Sequence, residues 1–224
     1  MISTESFKRY SLMSFVKKNR VAILMGTYQG EHYINEQLKS FSNQSYKDWC
    51  LYVSDDGSTH STREIIAEYA NKVSSPVELC DGPHKGFVAN FLSLLTRPDV
   101  DAEYYCFSDQ DDIWHDDKIE RAVKWLNQQP DNIPALYCSR TLLVDGEGNN
   151  IGISPLFERL PSFSNALVQN IGGGNTMMLN KAARDVVARA GLVNVVSHDW
   201  WIYIIISGVE GNINYDPEPT LYYR

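Results

Sequence analysis

The chain has 224 residues, with 20 Lys and Arg against 28 Asp and Glu and a formal net charge of −8. That length supports one substantial α/β domain with a real core, or at most two small ones, and the acidic balance argues against nucleic acid as a main partner. The longest apolar run, Trp200 to Ile206, is far too short to span a bilayer.

In chain order, residues 1–20 scatter Phe7, Tyr10, Leu12, Met13, Phe15 and Val16 among Lys8, Arg9, Lys17, Lys18 and Arg20. A signal peptide needs a longer apolar centre and a small-residue cleavage site. The segment reads as an N-terminal extension or a helix packed on the domain, with a basic amphipathic contact to anionic lipid as the alternative. Val21 to Met25 then reads as a strand, and Glu31 to Gln44 as a helix with Ile34, Leu38 and Phe41 at helical spacing. Cys50 to Val53 is the next strand, Thr59 to Val73 a helix, Val77 to Cys80 a strand and Gly86 to Leu95 a helix. Tyr104 to Phe107 is a fourth strand, followed by a helix within Asp116 to Gln129. Alternating strands and helices predict an α/β fold with a Rossmann-like, mostly parallel sheet and helices on both faces. Such sheets bind ligands at the carboxyl ends of their strands, where Gly26-Thr27-Tyr28, Asp55-Asp56-Gly57 and Asp109-Gln110-Asp111 all fall.

Ser108-Asp109-Gln110-Asp111-Asp112-Ile113-Trp114 places three carboxylates at the mouth of a buried strand. This is costly unless positive charge neutralises them, and Mg²⁺ or Mn²⁺, which share oxygen ligands with phosphate, would do so. A turn followed by a helix cap is the plainer alternative. A calcium loop of EF-hand type is excluded, because Ile113 and Trp114 fall where an oxygen ligand and the obligatory Gly belong. Beyond Pro134 the rhythm is less regular: strands at Ala135 to Cys138 and Thr141 to Val144, a turn at Asp145 to Gly148, and a short helix at Asn165 to Gln169. Gly172-Gly173-Gly174-Asn175 leads into a strand at Thr176 to Leu179 and a helix from Asn180 to Ala190. Ser197-His198-Asp199-Trp200-Trp201 opens another helix, before late strands at Ile213 to Tyr215 and Thr220 to Tyr223. Residues 21–224 read as one domain, with 21–133 as its regular half and 134–224 as the less regular one. The four cysteines, Cys50, Cys80, Cys106 and Cys138, form no C-x-x-C pair. Buried thiols in a reducing cytoplasm account for them.

Taken together, Ala22 to Tyr28, Val53 to Thr59, Lys85-Gly86 with Asn90-Phe91, Ser108 to Asp112 and His198 to Trp201 resemble glycosyltransferase family 2, the inverting nucleotide-sugar transferases of the GT-A fold. The wording of Asp109 to Trp114, with the glycine run and His198 to Trp201, is most similar to bacterial rhamnosyltransferase-like members that build surface polysaccharide. The resemblance implies a metal-dependent transfer of one sugar from a UDP- or dTDP-linked donor, dTDP-rhamnose among them, to a hydroxyl of a saccharide or lipid-linked saccharide. It implies that Asp56, with Asp55 beside it, accepts from the imide N–H of a uracil or thymine, that Tyr28 lies against the base, and that Thr27 and Glu31 line the pocket. Lys85, Asn90 and Gln110 would complete the donor site, Asp109 would touch the ribose or the metal edge, and Asp111 would ligate Mn²⁺ or Mg²⁺. Asp199 would be the general base, while Gly173, Gly174, His198, Trp200 and Trp201 would face the acceptor. A cytoplasmic place is expected, with a peripheral contact at the inner membrane face.

The sequence also departs from the family. His84 stands where relatives often have Asn, and the Q-x-x-R-W motif of processive synthases is absent, which argues for addition of a single sugar. Many relatives carry, past the position of Arg224, a His that completes the metal or diphosphate site. On that ground the alternative expectation is a nucleotide-sugar-binding module with little turnover.

Overall fold

The computed structural model describes residues 21–224; the N-terminal extension and its lipid contact lie outside the described residues. The regular half contains β1 (Val21–Thr27), α1 (Ile34–Asn43), β2 (Trp49–Asp55), α2 (Thr62–Ala70), β3 (Val77–Asp81), α3 (Phe87–Thr96), β4 (Tyr104–Ser108), β5 (Ile113–Trp114) and α4 (Lys118–Leu126). The second half adds β6 (Ala135–Val144), β7 (Asn150–Ile153), α5 (Phe163–Ala166), β8 (Met178–Asn180), α6 (Lys181–Ala190), α7 (His198–Gly208) and β9 (Asn212–Tyr223).

Among the described residues one nine-stranded sheet runs through both halves in the order β3-β2-β1-β4-β8-β6-β9-β5, with β7 paired to β6. The expected parallel pairing holds from β3 to β4. Beyond it the sheet is mixed: β8 runs antiparallel to both β4 and β6, β9 is parallel to β6, and β5 is antiparallel to β9. Residues of β1 alternate between two cores, as a strand covered on both faces must. Val21, Ile23 and Met25 pack with Ile34, Leu38 and Phe41 of α1 and with Ile119 and Val123 of α4. Ala22 and Leu24 pack with Phe91 and Leu95 of α3, Val187 of α6 and Ile202 and Ile206 of α7.

Two pairs of expected strands are each one continuous strand. β6 joins the segments read at 135–138 and 141–144, and β9 runs unbroken through Pro217 and Pro219. The ladder steps from Ser139–Asp216 to Arg140–Pro219, so Pro217 and Glu218 sit in a bulge where a missing N–H costs no ladder bond. Arg121 on α4 secures that bulge, donating to the carbonyl oxygens of Glu218 and Pro219 and to Asp216 Oδ2 at 2.7 Å. The strand expected at Thr176 to Leu179 begins instead as a 3-10 turn, Gly174–Thr176, before β8. Asn180 caps α6: its side chain accepts from Ala183 N–H (2.9 Å) and also from Ala135 N–H (2.9 Å), tying the helix to β6. Among the described residues no helix is long and apolar enough to cross a membrane.

Candidate active site

A cleft of about 980 Å³ opens at the carboxyl ends of β1, β2 and β4. Tyr28, just past β1, is 56% exposed and lines it. Its backbone is clasped by Gln110, whose Oε1 accepts from Tyr28 N–H (2.9 Å) and whose Nε2 donates to Tyr28 O (2.9 Å). Gln110 thereby joins the loops after β1 and β4. Thr27 also lines the cleft but is buried, its hydroxyl donating to Asp55 Oδ1 at 3.0 Å.

The two aspartates after β2 divide their work. Asp55 points inward, accepting from the backbone N–H and hydroxyl of Ser58 and from Arg63. Burial pushes its pKa up, but these hydrogen bonds outweigh burial and hold the carboxyl below its usual range. Asp56 lines the cleft, with Oδ1 accepting from His84 N–H (2.6 Å) and Oδ2 from Gly86 N–H (2.7 Å). Gly86 holds φ at +84°, a conformation that other residues rarely adopt, and so turns the chain into α3. Lys85 and Asn90 line the same wall; Asn90 donates from Nδ2 to Ser54 O at 2.9 Å. Asp55 and Glu31 do not line this cleft, contrary to expectation. Asp55 is consumed by the turn, and Glu31 faces the Thr62 hydroxyl.

Asp109, Gln110 and Asp111 form the cleft floor after β4. Burial, then the neighbouring Asp111 and Asp199, push the Asp109 carboxyl up to about 7. Burial also raises Asp111, opposed by its own backbone N–H and by Arg224. Tyr223, on the far wall, is raised by burial and then by Asp109, Asp112, Asp111 and Asp199 together, so four carboxylates act on one small volume. Asp112 is fully buried behind them; its Oδ2 accepts from Asn175 Nδ2 at 2.6 Å and its Oδ1 has no partner. Beneath the loop lies Gln37 of α1. In the amide orientation that satisfies both its polar atoms, it accepts from Ser108 Oγ and Trp114 Nε1 and donates to the Asp112 carbonyl. Lys118 is buried with its ammonium 4.6 Å from the centre of the Trp114 ring, and burial brings its pKa down to about 8.

Among the described residues no group of three or more His, Cys, Asp or Glu side chains is arranged to hold a metal ion. The Asp109–Asp111 pair nevertheless fits Mg²⁺ or Mn²⁺, which bind through one or two carboxylates completed by phosphate and water. A dication there would relieve the repulsion that raises Asp109.

Asp199, in the first turn of α7, faces the cleft with Oδ2 accepting from Gly174 N–H (2.9 Å) and Oδ1 from Trp200 N–H (2.7 Å). Gly173 and Gly174 line the cleft above it. A Cβ on Gly174 would lie 2.3 Å from His198 Nε2, so only glycine fits there. His198 is stacked on Phe91 (ring centroids 4.4 Å apart) and edge-on to Phe107 (5.2 Å), with both ring nitrogens buried and unpartnered. Burial lowers its pKa to about 4, so the ring is neutral at pH 7 and offers no nitrogen to an acceptor. His198 thus lines the cleft with its ring rather than with a free nitrogen, whereas Trp200 and Trp201 do not line it. Trp200 packs on the core and donates to Ala166 O at 2.7 Å, and the Trp201 indole nitrogen is buried. The expected acceptor role of the two tryptophans is thus not matched by their placement, because α7 turns their indoles away from the cleft, while His198 is at its wall.

Sequence reasoning missed Asn175 as the partner of Asp112, and it missed Tyr223 and Arg224. The latter two reach the cleft through β9. Arg224 donates to Asp111 O (3.1 Å) and Glu36 Oε2 (2.6 Å), with its guanidinium 4.4 Å from the centre of the Tyr33 ring.

The family model described as "Glycosyl transferase family 2" matches residues 22–186. The chain is 33% identical over 216 residues to the dTDP-rhamnosyl transferase RfbG of Shigella flexneri, covering 89% of this chain and 71% of that one. Its fold is similar to that of S. aureus TarS in complex with UDP-GlcNAc, with a TM-score of 0.70 at 16% identity over 91% of this chain and 58% of TarS. It is likewise similar to the mannosyltransferase PcManGT from Pyrobaculum calidifontis in complex with GDP-Man and Mn²⁺, with a TM-score of 0.68 at 19% identity over 93% and 57% of the two chains. The chain thus spans under two thirds of these solved structures, and it shares their GT-A fold.

Proposed function

The chain belongs to glycosyl transferase family 2, and from that premise we propose that it is a cation-dependent, inverting transferase. It moves one sugar from a dTDP- or UDP-linked donor to a hydroxyl of a saccharide, free or lipid-linked. The observation that carries this reading is the gathering of Tyr28, Asp56, Asp109, Asp111 and Asp199 around one cleft. Likeness to RfbG favours dTDP-rhamnose as donor.

In this reading the pyrimidine lies against Tyr28, and its imide N–H donates to Asp56, whose orientation is already fixed by two backbone N–H groups. Lys85 and Arg224, which both line the cleft, would bring positive charge to the diphosphate. Asp109 and Asp111 would hold Mn²⁺ or Mg²⁺, and the ion would supply positive charge against the negative charge growing on the departing diphosphate. Asp199 takes the proton of the acceptor hydroxyl as its oxygen bonds to the anomeric carbon. The bond from that carbon to the diphosphate oxygen breaks on the opposite face, and its electron pair leaves with the nucleotide. Inversion follows, with no covalent intermediate. Asp199 suits this task because the N–H groups of Gly174 and Trp200 aim its carboxylate without neutralising it.

The test is transfer from dTDP-rhamnose, and from UDP-glucose as a comparison, to a panel of saccharide acceptors with Mn²⁺, the product's anomeric configuration being read by NMR. An inverted product supports the mechanism. A retained configuration, or cation-independent transfer at the same rate, would contradict it.

A further inference from the structure

The loop after β4 and the Gly174–Thr176 turn are separate in sequence and are joined by a buried hydrogen bond. Asp112 is fully buried, yet its carboxylate does not cap its own loop; Oδ2 accepts from Asn175 Nδ2 at 2.6 Å, across 63 residues of chain. Asn175 is itself buried and sits in the Gly174–Thr176 turn. That turn is stiff: Gly173 O accepts from both the backbone N–H (2.9 Å) and the hydroxyl (2.7 Å) of Thr176. The neighbouring Gly174 N–H donates to Asp199 Oδ2 at 2.9 Å. From Asp111 to Asp199 the path is therefore one peptide link to Asp112, one hydrogen bond to Asn175, one peptide link to Gly174 and one hydrogen bond to Asp199. A Cβ on Gly173 would come within 2.7 Å of Asn175 Oδ1, so any side chain there would crowd the amide whose nitrogen donates to Asp112. On the other side, the Gln37 amide grips Ser108, Trp114 and the Asp112 carbonyl, so the Asp112 end is fixed as well.

A buried carboxylate with one oxygen unpartnered is expensive, and a structure that needed only a filled core would do better with an apolar side chain there. We propose that Asp112 and Asn175 are positioning residues: their bond sets the distance and angle between the Asp109–Asp111 loop and the Asp199 base. This inference rests on the proposed roles of those aspartates. Asp112 does not line the cleft and acts through Asn175, which does line it. A displacement of about 1 Å between reacting groups lowers turnover by about 100-fold, so the bond acts on the chemical step rather than on donor binding.

The experiment compares Asp112→Ala, Asp112→Asn and Asn175→Ala with wild type and with Asn180→Ala, a stability control at the α6 cap, at the end of β8 remote from the Gly174–Thr176 turn. Each variant is measured for kcat, donor KM, the ratio of donor hydrolysis to transfer, Tm, and the NMR exchange rate of the Gly174 amide. Asp112→Ala and Asn175→Ala are expected to lose about 100-fold in kcat per folded molecule with donor KM within about twofold. Their hydrolysis-to-transfer ratio should rise and Gly174 exchange should speed up, because the turn that presents Asp199 has lost its anchor. Asp112→Asn keeps an oxygen for Asn175 and should retain kcat within about tenfold. Asn180→Ala should lower Tm and leave kcat and Gly174 exchange alone. The inference is overturned if Gly174 exchange is the same in Asn175→Ala as in wild type, whether or not any transfer is seen. It is overturned equally if Asp112→Asn falls as far as Asp112→Ala, or if the control loses as much kcat. Wild type without transfer from any donor, but with Gly174 exchange faster in Asn175→Ala, would sink the functional reading and leave the tie standing.

Discussion

Asp109→Asn is the change whose consequences the site's electrostatics fix most directly. Burial, Asp111 and Asp199 raise the native Asp109 carboxyl to about 7, while an unfolded chain ionises an Asp near 3.9. Between about pH 4 and 7 the folded state holds more protons than the unfolded one, so the cation-free protein loses stability as pH rises through that window and is level above it. Each tenfold in proton affinity is worth about 1.4 kcal/mol, which puts the destabilisation by Asp109 at roughly 4 kcal/mol at pH 8, where it is ionised, and at less than half of that at pH 5, where the folded protein takes up a proton instead. The Asn variant carries no such cost. In EDTA it should therefore melt several degrees above wild type at pH 8, at about 2–4 °C per kcal/mol for a chain of this size. The advantage should shrink by more than half at pH 5. Saturating Mn²⁺ should reverse the order at pH 8, because wild type gains the binding energy of the ion and the variant has lost one ligand. Melts at pH 5, 6, 7 and 8, in EDTA and in Mn²⁺, measure all of this. An Asn variant no more stable than wild type at pH 8, or one whose advantage does not change with pH, would refute the reasoning.

Asp199→Asn keeps an oxygen for the Gly174 N–H, so nucleotide affinity measured by calorimetry should hold while transfer falls by about 10³-fold; lost affinity with normal turnover would remove Asp199 as the base. Gly174→Ala drives a methyl to 2.3 Å from His198 Nε2 in a ring packed by Phe91 and Phe107. It should cost about 1–3 kcal/mol in urea unfolding and lower kcat through the same turn. Tyr28→Ala removes the exposed ring beside Asp56; donor KM should rise by the loss of about 1–3 kcal/mol of base stacking, with kcat little changed.

Much of this arrangement was legible in the sequence because the regular half obeys local rules. β1, β2 and β4 are apolar runs that end in polar residues, and a parallel sheet puts such ends on one rim. That is why Tyr28, Asp56, Asp109 and Asp111 meet in one cleft, which Asp199 joins from the first turn of α7. What was not legible depends on partners far away in the chain. Asp55 and Asp56 are adjacent and look equivalent, but strand alternation sends Asp55 inward to Ser58, Thr27 and Arg63 and leaves Asp56 at the cleft. Trp200 and Trp201 look like sugar platforms until α7 is seen to pack Trp200 against the body of the domain and to bury the Trp201 indole nitrogen. The prolines of β9 read as a break because a bulge that absorbs them depends on its neighbour β6, and Tyr223 and Arg224 reach the cleft only through that strand. The two-residue β5 is too short to carry any periodicity. Asn175 is visible after the glycine run, but nothing local says that its amide meets Asp112.

The measurement that bears most directly on a shared donor-and-cation cleft is a calorimetric titration of dTDP, and of UDP, into wild type and Asp111→Ala, each in EDTA and in Mn²⁺. Wild type should bind the nucleotide at least about tenfold more tightly with Mn²⁺ than without it, a gain of about 1.4 kcal/mol, and Asp111→Ala should lose that gain while keeping the EDTA affinity. Equal affinity in EDTA and Mn²⁺, or a Mn²⁺ gain that survives in Asp111→Ala, would contradict it.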